Sequence, residues 1–368
     1  MVIAIALVNY ARKVFGRVGG PGRFAVVEQQ GARIPAGGEV RLYFVGSSNV
    51  AWQTWPDQLH MYLSELGYTL PTEAYAHANL LTASDLAPKC DDQADFQSLQ
   101  TPRIGYAGWG SWNFAFDSDD DCAATPYQGH ASGVYPFRTI AGHAVSCLSG
   151  WGCKPDKEEA HQRVRPAAVA EDAKHADVVL LSHWINDFKQ QYSGYSCFNS
   201  TKFDSLTIVD ITVEDVRRLI RAVHKVNPSA LVLVLALRPE ASGPRVVPEA
   251  RAKVAAINGK IKDGVQEEPN TAFVDFRIPD GIDMFQTAHP GHLNCRGDRI
   301  MATSVLQALY DRHVLARSLA LPQAGEADTC FFEAECGNIT SKTCCQAAAT
   351  CRVASDGQCT PYGPGAPK

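Results

Sequence analysis

The chain has 368 residues, of which 45% are hydrophobic and 20% are charged, so it is long and apolar enough to bury a sizeable core. A net charge of −5 with no basic stripe argues against a nucleic-acid partner. No apolar run reaches the ~20 residues of a membrane-spanning helix, so no transmembrane segment is predicted.

The first 38 residues are rich in glycine and basic side chains and show no clear periodicity. Val2 to Val8 is apolar, but this run is short for a secretory signal, and no basic segment precedes it. We therefore predict that residues 1–38 form a leader or a loose N-terminal arm with an atypical or truncated signal segment.

The first predicted strand ends in a glycine and two serines. Leu42 to Val45 is predicted to be a buried strand because a turn signal closes its apolar run. A helix follows from about Pro56, with an apolar stripe that ends at Gly67. Strand, sharp turn, serine and helix is a geometry that exposes a nucleophile, although a Gly-Ser-Ser turn also ends strands that carry no chemistry.

Predicted strands and helices then alternate along the chain. Further strands are predicted over 74–81, from Arg103 into an aromatic turn near Trp112, and over 177–183, 231–237 and 272–276. Helices are predicted over 167–175, 213–226, 248–265 and 298–315, the second of them capped by Thr212 and Asp215. This alternation predicts a parallel sheet of about five strands with helices on both faces, a three-layer α/β/α sandwich.

Four short motifs fall in order at successive strand ends: Gly46-Ser-Ser48, Gly105-x-x-Gly108, Asn186-Asp187 and His292-x-Asn294-x-x-Gly297. Across residues 40 to 315 they resemble the SGNH, or GDSL-like, hydrolase superfamily, and Asn258 is similar to a position that such chains often keep. The resemblance implies a flavodoxin-like hydrolase domain over residues 39–318. It also implies an ester hydrolase, and no cofactor is predicted for this chain.

The resemblance assigns a role to each motif. Ser48 is the nucleophile and His292 is its general base. Gly108 and Asn186 join the backbone N–H of Ser48 as donors to the oxyanion. Each residue also suits a structural role: Asn186 in a strand-end turn, Gly108 in a backbone bend, and His292 as a cap of the last helix.

The chain departs from the family at the acid that orients the histidine. The family places aspartate three residues before the histidine, where this chain has His289, so His289 and the upstream Asp283 are the orienting candidates. His289 and His292 also offer two zinc ligands, but no further ligand lies at suitable spacing, and no metal is predicted. Three tryptophans beside the motifs are predicted to line a cleft for a sugar ring or an acyl chain, namely Trp109, Trp112 and Trp184.

Twelve cysteines divide evenly, six of them between Cys90 and Cys295 and six in the tail. Even numbers in both parts predict disulfides and an exported protein. Two sequons, Asn199-Ser-Thr and Asn338-Ile-Thr, agree with a secreted glycoprotein.

The tail is predicted to form a separate module. After a linker over residues 319–329, residues 330–368 are too few to bury a useful core, so disulfides are predicted to hold them. Their spacing resembles a knottin-type framework, which implies the pairs Cys330 with Cys345, Cys336 with Cys351, and Cys344 with Cys359, among the connectivities that six cysteines allow. Such a module suits binding to polysaccharide or a cell surface, or service as a protease-resistant cap.

The function predicted from these features is a serine esterase that works through an acyl-enzyme, with an acetylated glycan as the favoured substrate. A lipid or aryl esterase is the alternative among enzymes. A catalytically inactive glycan-binding protein on the same fold is the alternative outside them, because the family's aspartate is missing.

Overall fold

A computed structural model of the protein describes residues 33–71, 79–81, 101–106, 111–115, 139–140, 143–144, 165–182, 205–237, 248–276, 292–316, 351–353 and 359–361. These ranges contain a central sheet, the helices that cover it and a short ribbon in the tail. Within them, no helix is both long enough and apolar enough to cross a lipid bilayer.

The centre of the fold is a six-stranded sheet in which five neighbouring strands are parallel. The strands of the structure are β1 (Leu42–Ser47), β2 (Asn79–Leu81), β3 (Thr101–Tyr106), β4 (Thr139–Ile140), β5 (His143–Ala144), β6 (Val178–Ser182), β7 (Leu231–Leu235), β8 (Thr271–Val274), β9 (Cys351–Val353) and β10 (Cys359–Pro361). The sheet has the order β2-β3-β1-β6-β7-β8, with β2 antiparallel to β3. Its parallel strands follow the flavodoxin-like order 2-1-3-4-5, which confirms the predicted sheet.

The helices fall into two groups. They are α1 (Ser48–Ala51), α2 (Trp55–Glu65), α3 (Ser111–Ala115), α4 (Pro166–Ala173), α5 (Ser205–Val226), α6 (Pro248–Gln266) and α7 (Cys295–Asp311). Helix α2 packs against α7, whereas α5 packs against α3, α4 and α6. This grouping fits a helical layer on each face of the sheet, as the doubly wound order requires.

The central strands are apolar because the helices bury both of their faces. Every residue of β1, β6 and β7 is buried. Strand β1 continues past the predicted apolar run, since its ladder to β3 extends to Ser47 opposite Tyr106. Gly46 stands opposite both Gly105 and Ser182, so β3, β1 and β6 end close together at one edge of the sheet.

Helix α5 begins at Ser205, well before the start predicted at Val213. The cap predicted at Thr212 and Asp215 is therefore wrong, because both residues are buried inside the helix. Val209 lies two helical turns before Val216, and both are buried, so the apolar stripe starts before Thr212.

Residues 33–38 belong to the folded domain, although the sequence placed them in a loose N-terminal arm. The N–H groups of Arg33 and Ile34 donate to the carbonyl oxygens of His313 and Val314, both at 2.9 Å. Ile34 also forms a parallel bridge with Leu315 and is buried in the core. The main chain after α7 thus holds this segment in place.

In the cysteine-rich tail, the structure describes β9 and β10, which pair antiparallel as a two-stranded ribbon. Cys351 stands opposite Pro361, and Cys359 stands opposite Val353. Residues 319–329 lie outside the described residues, as do four tail cysteines: Cys330, Cys336, Cys344 and Cys345. The linker, the knottin-type framework and the cysteine pairs therefore stay predictions.

His60 is a buried histidine of α2 that makes the fold sensitive to acid. Burial lowers the pKa of its imidazole from 6.5 to about 4. Between these values the unfolded chain binds a proton that the folded chain excludes, so stability that is fully present above pH 6.5 is lost as the pH falls to about 4. The shift corresponds to about 3 kcal/mol.

We expect His60→Met to remove this sensitivity. Relative to the variant, the wild-type free energy of unfolding should fall by about 3 kcal/mol between about pH 7 and pH 4, measured by urea denaturation. Asp57 titrates in both proteins and cancels in the comparison; burial raises its pKa to about 6, against the effect of the Arg103 guanidinium. Parallel stability profiles for the two proteins would contradict this assignment.

Candidate active site

Ser48 lies at the carboxyl end of the central strand as the first residue of α1. Strand β6 and helix α1 pack closely around the end of β1 because Gly46 has no side chain. A Cβ there would lie 2.2 Å from the carbonyl oxygen of Ser182 and 2.5 Å from Cγ2 of Val50. Ser48 is 7% exposed. It follows β1, whose neighbours β3 and β6 lie on either side of the point where the strand order reverses and where sheets of this kind bind ligands.

His292 precedes α7 and reaches Ser48 across this edge of the sheet. Its Nε2 lies 3.0 Å from Oγ of Ser48, although the two residues are 244 positions apart. The alternative role of His292 as the cap of the last helix is wrong. Asn294 is the N-cap of α7, and its side-chain oxygen accepts a hydrogen bond from the N–H of Gly297 at 3.0 Å.

The imidazole of His292 also contacts the indole of Trp52. The ring centroids are 5.2 Å apart and the ring planes are inclined at 41°. The indole of Trp52 therefore packs beside the imidazole of His292. Trp52 is not among the tryptophans selected from the sequence, although it lies close to the Gly46-Ser-Ser48 motif.

The turn between α1 and α2 is hydrogen-bonded to the His292 segment at two points. Oε1 of Gln53 accepts from the N–H of Leu293 at 2.7 Å. The N–H and the hydroxyl of Thr54 both donate to Oδ2 of Asp298 in the first turn of α7, at 2.9 and 2.6 Å. Because these groups are buried, the bonds join the segments of Ser48 and His292 in a water-poor environment.

A buried ion pair is hydrogen-bonded to the turn between α1 and α2. Nη2 of Arg103 on β3 donates to both carboxylate oxygens of Asp57 on α2, at 3.3 and 3.1 Å. The hydroxyl of Thr101 donates to the same carboxylate at 2.6 Å. Nη1 of Arg103 donates to the carbonyl oxygen of Gln53 at 3.1 Å. Breaking such a pair leaves a buried charge uncompensated, so the guanidinium is a fixed anchor for the turn.

Of the other predicted site residues, the structure places one in a helix and does not describe the rest. Trp112 lies in α3, and the rest fall outside the described ranges: Gly108, Trp109, Trp184, Asn186, Asp283 and His289. Gly108 follows the end of β3 and Asn186 follows the end of β6, the two strands that flank β1. The strand order thus supports their predicted oxyanion role, which stays a prediction.

Two further polar contacts fasten elements of the domain. Asn258 on α6 donates from Nδ2 to the carbonyl oxygen of Leu237 at 2.6 Å and accepts from its N–H at 2.8 Å, which fixes the chain after β7. The hydroxyl of Ser111 donates to Oδ2 of Asp215 at 3.1 Å, which fixes α3 to α5. The sequence pointed to Asn258 but not to the second pair, whose members are 104 positions apart.

The described residues bring a serine hydroxyl and an imidazole into direct contact. A serine hydroxyl is a weak nucleophile until a base accepts its proton, and Nε2 of His292 is within reach to do so. Among the described residues, no group of three or more His, Cys, Asp or Glu side chains is arranged to hold a metal ion. The chemistry available to the described groups is proton transfer between Ser48 and His292.

No protein-family model matches the chain, and no curated protein sequence matches it. Among solved structures, it is similar to a family 3 carbohydrate esterase from Talaromyces cellulolyticus, with 14% identity, a TM-score of 0.43, and coverage of 74% of this chain and 98% of that one. A family 3 carbohydrate esterase from Clostridium thermocellum gives 13% identity, a TM-score of 0.39, and coverage of 75% and 97%. The lipase Lip_vut3 from a goat rumen metagenome gives 13% identity, a TM-score of 0.42, and coverage of 74% and 99%. At these identities, no residue role passes from those proteins to this chain.

Proposed function

We propose that this protein is a serine esterase that hydrolyses carboxylic esters through an acyl-enzyme intermediate. The observation that carries the proposal is the 3.0 Å separation between Oγ of Ser48 and Nε2 of His292. The pair lies at the carboxyl end of β1, beside the reversal of strand order where sheets of this kind bind ligands.

Ser48 and His292 act in both steps of the reaction, acylation of the serine and hydrolysis of the acyl-enzyme. With its own proton on Nδ1, His292 accepts the Ser48 proton on Nε2 while Oγ bonds to the acyl carbon. Nε2 then gives that proton to the alcohol oxygen, whose bond to the acyl carbon breaks, and the acyl group stays on Ser48. A water molecule, deprotonated by Nε2, attacks this ester, and the carboxylic acid leaves as Ser48 recovers its proton.

Other groups complete the proposed mechanism. The oxyanion binds the backbone N–H groups of Ser48 and Gly108 and the side-chain amide of Asn186, and loss of one such donor typically costs about 100- to 1000-fold in rate. His289 and Asp283 are the candidates for orienting the histidine.

We infer that the substrate is an O-acetylated carbohydrate met outside the cytoplasm. The indole of Trp52, which contacts the imidazole of His292, suits a sugar ring. Cys295 at the start of α7 is disulfide-bonded, which agrees with an oxidising compartment. The sequons at Asn199 and Asn338 agree with a secreted glycoprotein, and the cysteine-rich tail is proposed to bind polysaccharide or a cell surface.

Hydrolysis of p-nitrophenyl esters from acetate to palmitate tests this function, with Ser48→Ala as the matched control. We expect wild-type protein to hydrolyse the acetate fastest and to release acetate from an acetylated polysaccharide. A maximum at long acyl chains would identify a lipid esterase instead. Folded wild-type protein that hydrolyses none of the esters faster than Ser48→Ala would contradict the enzyme and favour a glycan-binding protein.

A further inference from the structure

We propose that Gln53 is a positioning residue for the base of the reaction. The proposal rests on the esterase function above, in which His292 must receive a proton from Ser48. Oε1 of Gln53 accepts a hydrogen bond of 2.7 Å from the N–H of Leu293, the residue next to the base. This bond fixes the main chain from which the imidazole projects, and both of its partners are fully buried.

Gln53 contributes its oxygen rather than its whole amide. Its Nε2 is buried and has no hydrogen-bond partner among the described residues. An unsatisfied buried donor is unfavourable, so packing alone favours an apolar side chain of the same size at this position. A glutamine supplies a hydrogen-bond acceptor for the N–H of Leu293, and a methionine does not.

The position of Gln53 is itself fixed by its neighbours. Its carbonyl oxygen accepts from Arg103, which is held by Asp57, and the adjacent Thr54 is bonded to Asp298 in α7. Gln53 therefore links the turn that Arg103 anchors to the main chain at Leu293, the residue next to the base. A displacement of about 1 Å in a reacting group can cost about 100-fold in rate, so this link sets the distance between Ser48 and His292.

This role is separate from that of an orienting acid. An acid in that role binds the imidazole and stabilises its protonated form. Gln53 acts through the main chain of Leu293, so its removal should change where the imidazole lies.

The test compares Gln53→Met with Gln58→Met in the full-length protein. Gln58 is also fully buried, and its Oε1 has no hydrogen-bond partner among the described residues. Its Nε2 donates to Thr54 at 3.1 Å rather than to the His292 segment. The two substitutions therefore remove one hydrogen bond each from a similar environment, and circular dichroism should show that both variants fold.

For p-nitrophenyl acetate, we expect Gln53→Met to lower kcat by about 10- to 100-fold and to change KM by less than about threefold. Gln58→Met should keep kcat within about threefold of wild type. Gln53→Glu retains an oxygen acceptor at the same reach and should recover most of the lost kcat. Equal kcat in the two methionine variants, or a Gln53→Glu variant as slow as Gln53→Met, would overturn the proposal.

A second measurement does not depend on turnover. NMR spectra of 13C-labelled histidine report the environment of His292, whose signals are identified by their loss in His292→Ala. In Gln53→Met these signals should move toward those of Ser48→Ala, which lacks Oγ, whereas Gln58→Met should match wild type. Unchanged signals in Gln53→Met would refute the positioning role. Wild-type protein that hydrolyses no ester would instead refute the esterase, and the spectra would still decide the role of Gln53.

Discussion

Replacement of Ser48 by alanine is expected to lower kcat for ester hydrolysis by about 10⁴- to 10⁶-fold, because the acyl group then has no oxygen on which to transfer. The substitution removes one oxygen atom from the first residue of α1, so the variant should fold and melt like the wild type. Mass spectrometry after treatment with a phosphonate ester should show one adduct on the wild-type peptide that contains Ser48. The same treatment should leave that peptide of Ser48→Ala unmodified.

The neighbouring serine is the matched control. Ser47 is fully buried, and its Oγ has no hydrogen-bond partner among the described residues. Ser47→Ala should keep kcat within about threefold and should be as stable as the wild type or slightly more so, since it removes an unsatisfied buried hydroxyl. A similar loss of activity in Ser47→Ala and Ser48→Ala would contradict the choice of nucleophile.

The sheet could be predicted because its strands carry their signal locally. Strands β6 and β7 are short apolar runs bounded by turns, since helices bury both of their faces. The start of α5 carried no such signal. Ser205 to Thr212 is rich in β-branched residues of low helix propensity, and Thr212 with Asp215 resembles a cap. The segment is nevertheless helical, and Val209 within it is buried.

Residues of the candidate site could be predicted from the sequence only where they belong to one of the four motifs. Ser48 and His292 were selected from their motifs, and the structure brings them together. Trp52 and Gln53 lie in the turn between α1 and α2, where nothing in the local pattern marks them. Gln53 binds a backbone N–H 240 positions away, a contact that depends on tertiary structure and leaves no periodicity or spacing in the sequence.

The buried ion pair was missed for a similar reason. From a single sequence, Arg103 and Asp57 are expected to be exposed to solvent, because charged residues are seldom fully buried. Their burial follows from the packing of α2 over β3, which places the carboxylate beside the guanidinium. The sequence therefore predicted the pairing of Ser48 with His292 but not the ion pair that anchors the turn beside it.

His292→Ala is expected to be as damaging as Ser48→Ala, because the serine hydroxyl then has no acceptor for its proton. The double variant should lose little more than either single variant, since a nucleophile and its base act as one unit. These values are measured as kcat for p-nitrophenyl acetate. His175→Ala serves as the control, because His175 is exposed in the turn after α4 and should keep wild-type turnover. Losses that multiply in the double variant would show that the two side chains act independently.

His289 provides the competing assignment for the base, because it lies only three residues before His292. An imidazole at the position of the orienting aspartate can fix the tautomer of His292 but stabilises the imidazolium less than a carboxylate does. His289→Ala should therefore lose less activity than His292→Ala, and His289→Asp, which creates an Asp-x-x-His arrangement, should keep or raise kcat. If His289→Ala is inactive while His292→Ala keeps wild-type turnover, the base is His289, and the 3.0 Å contact between His292 and Ser48 is a structural hydrogen bond.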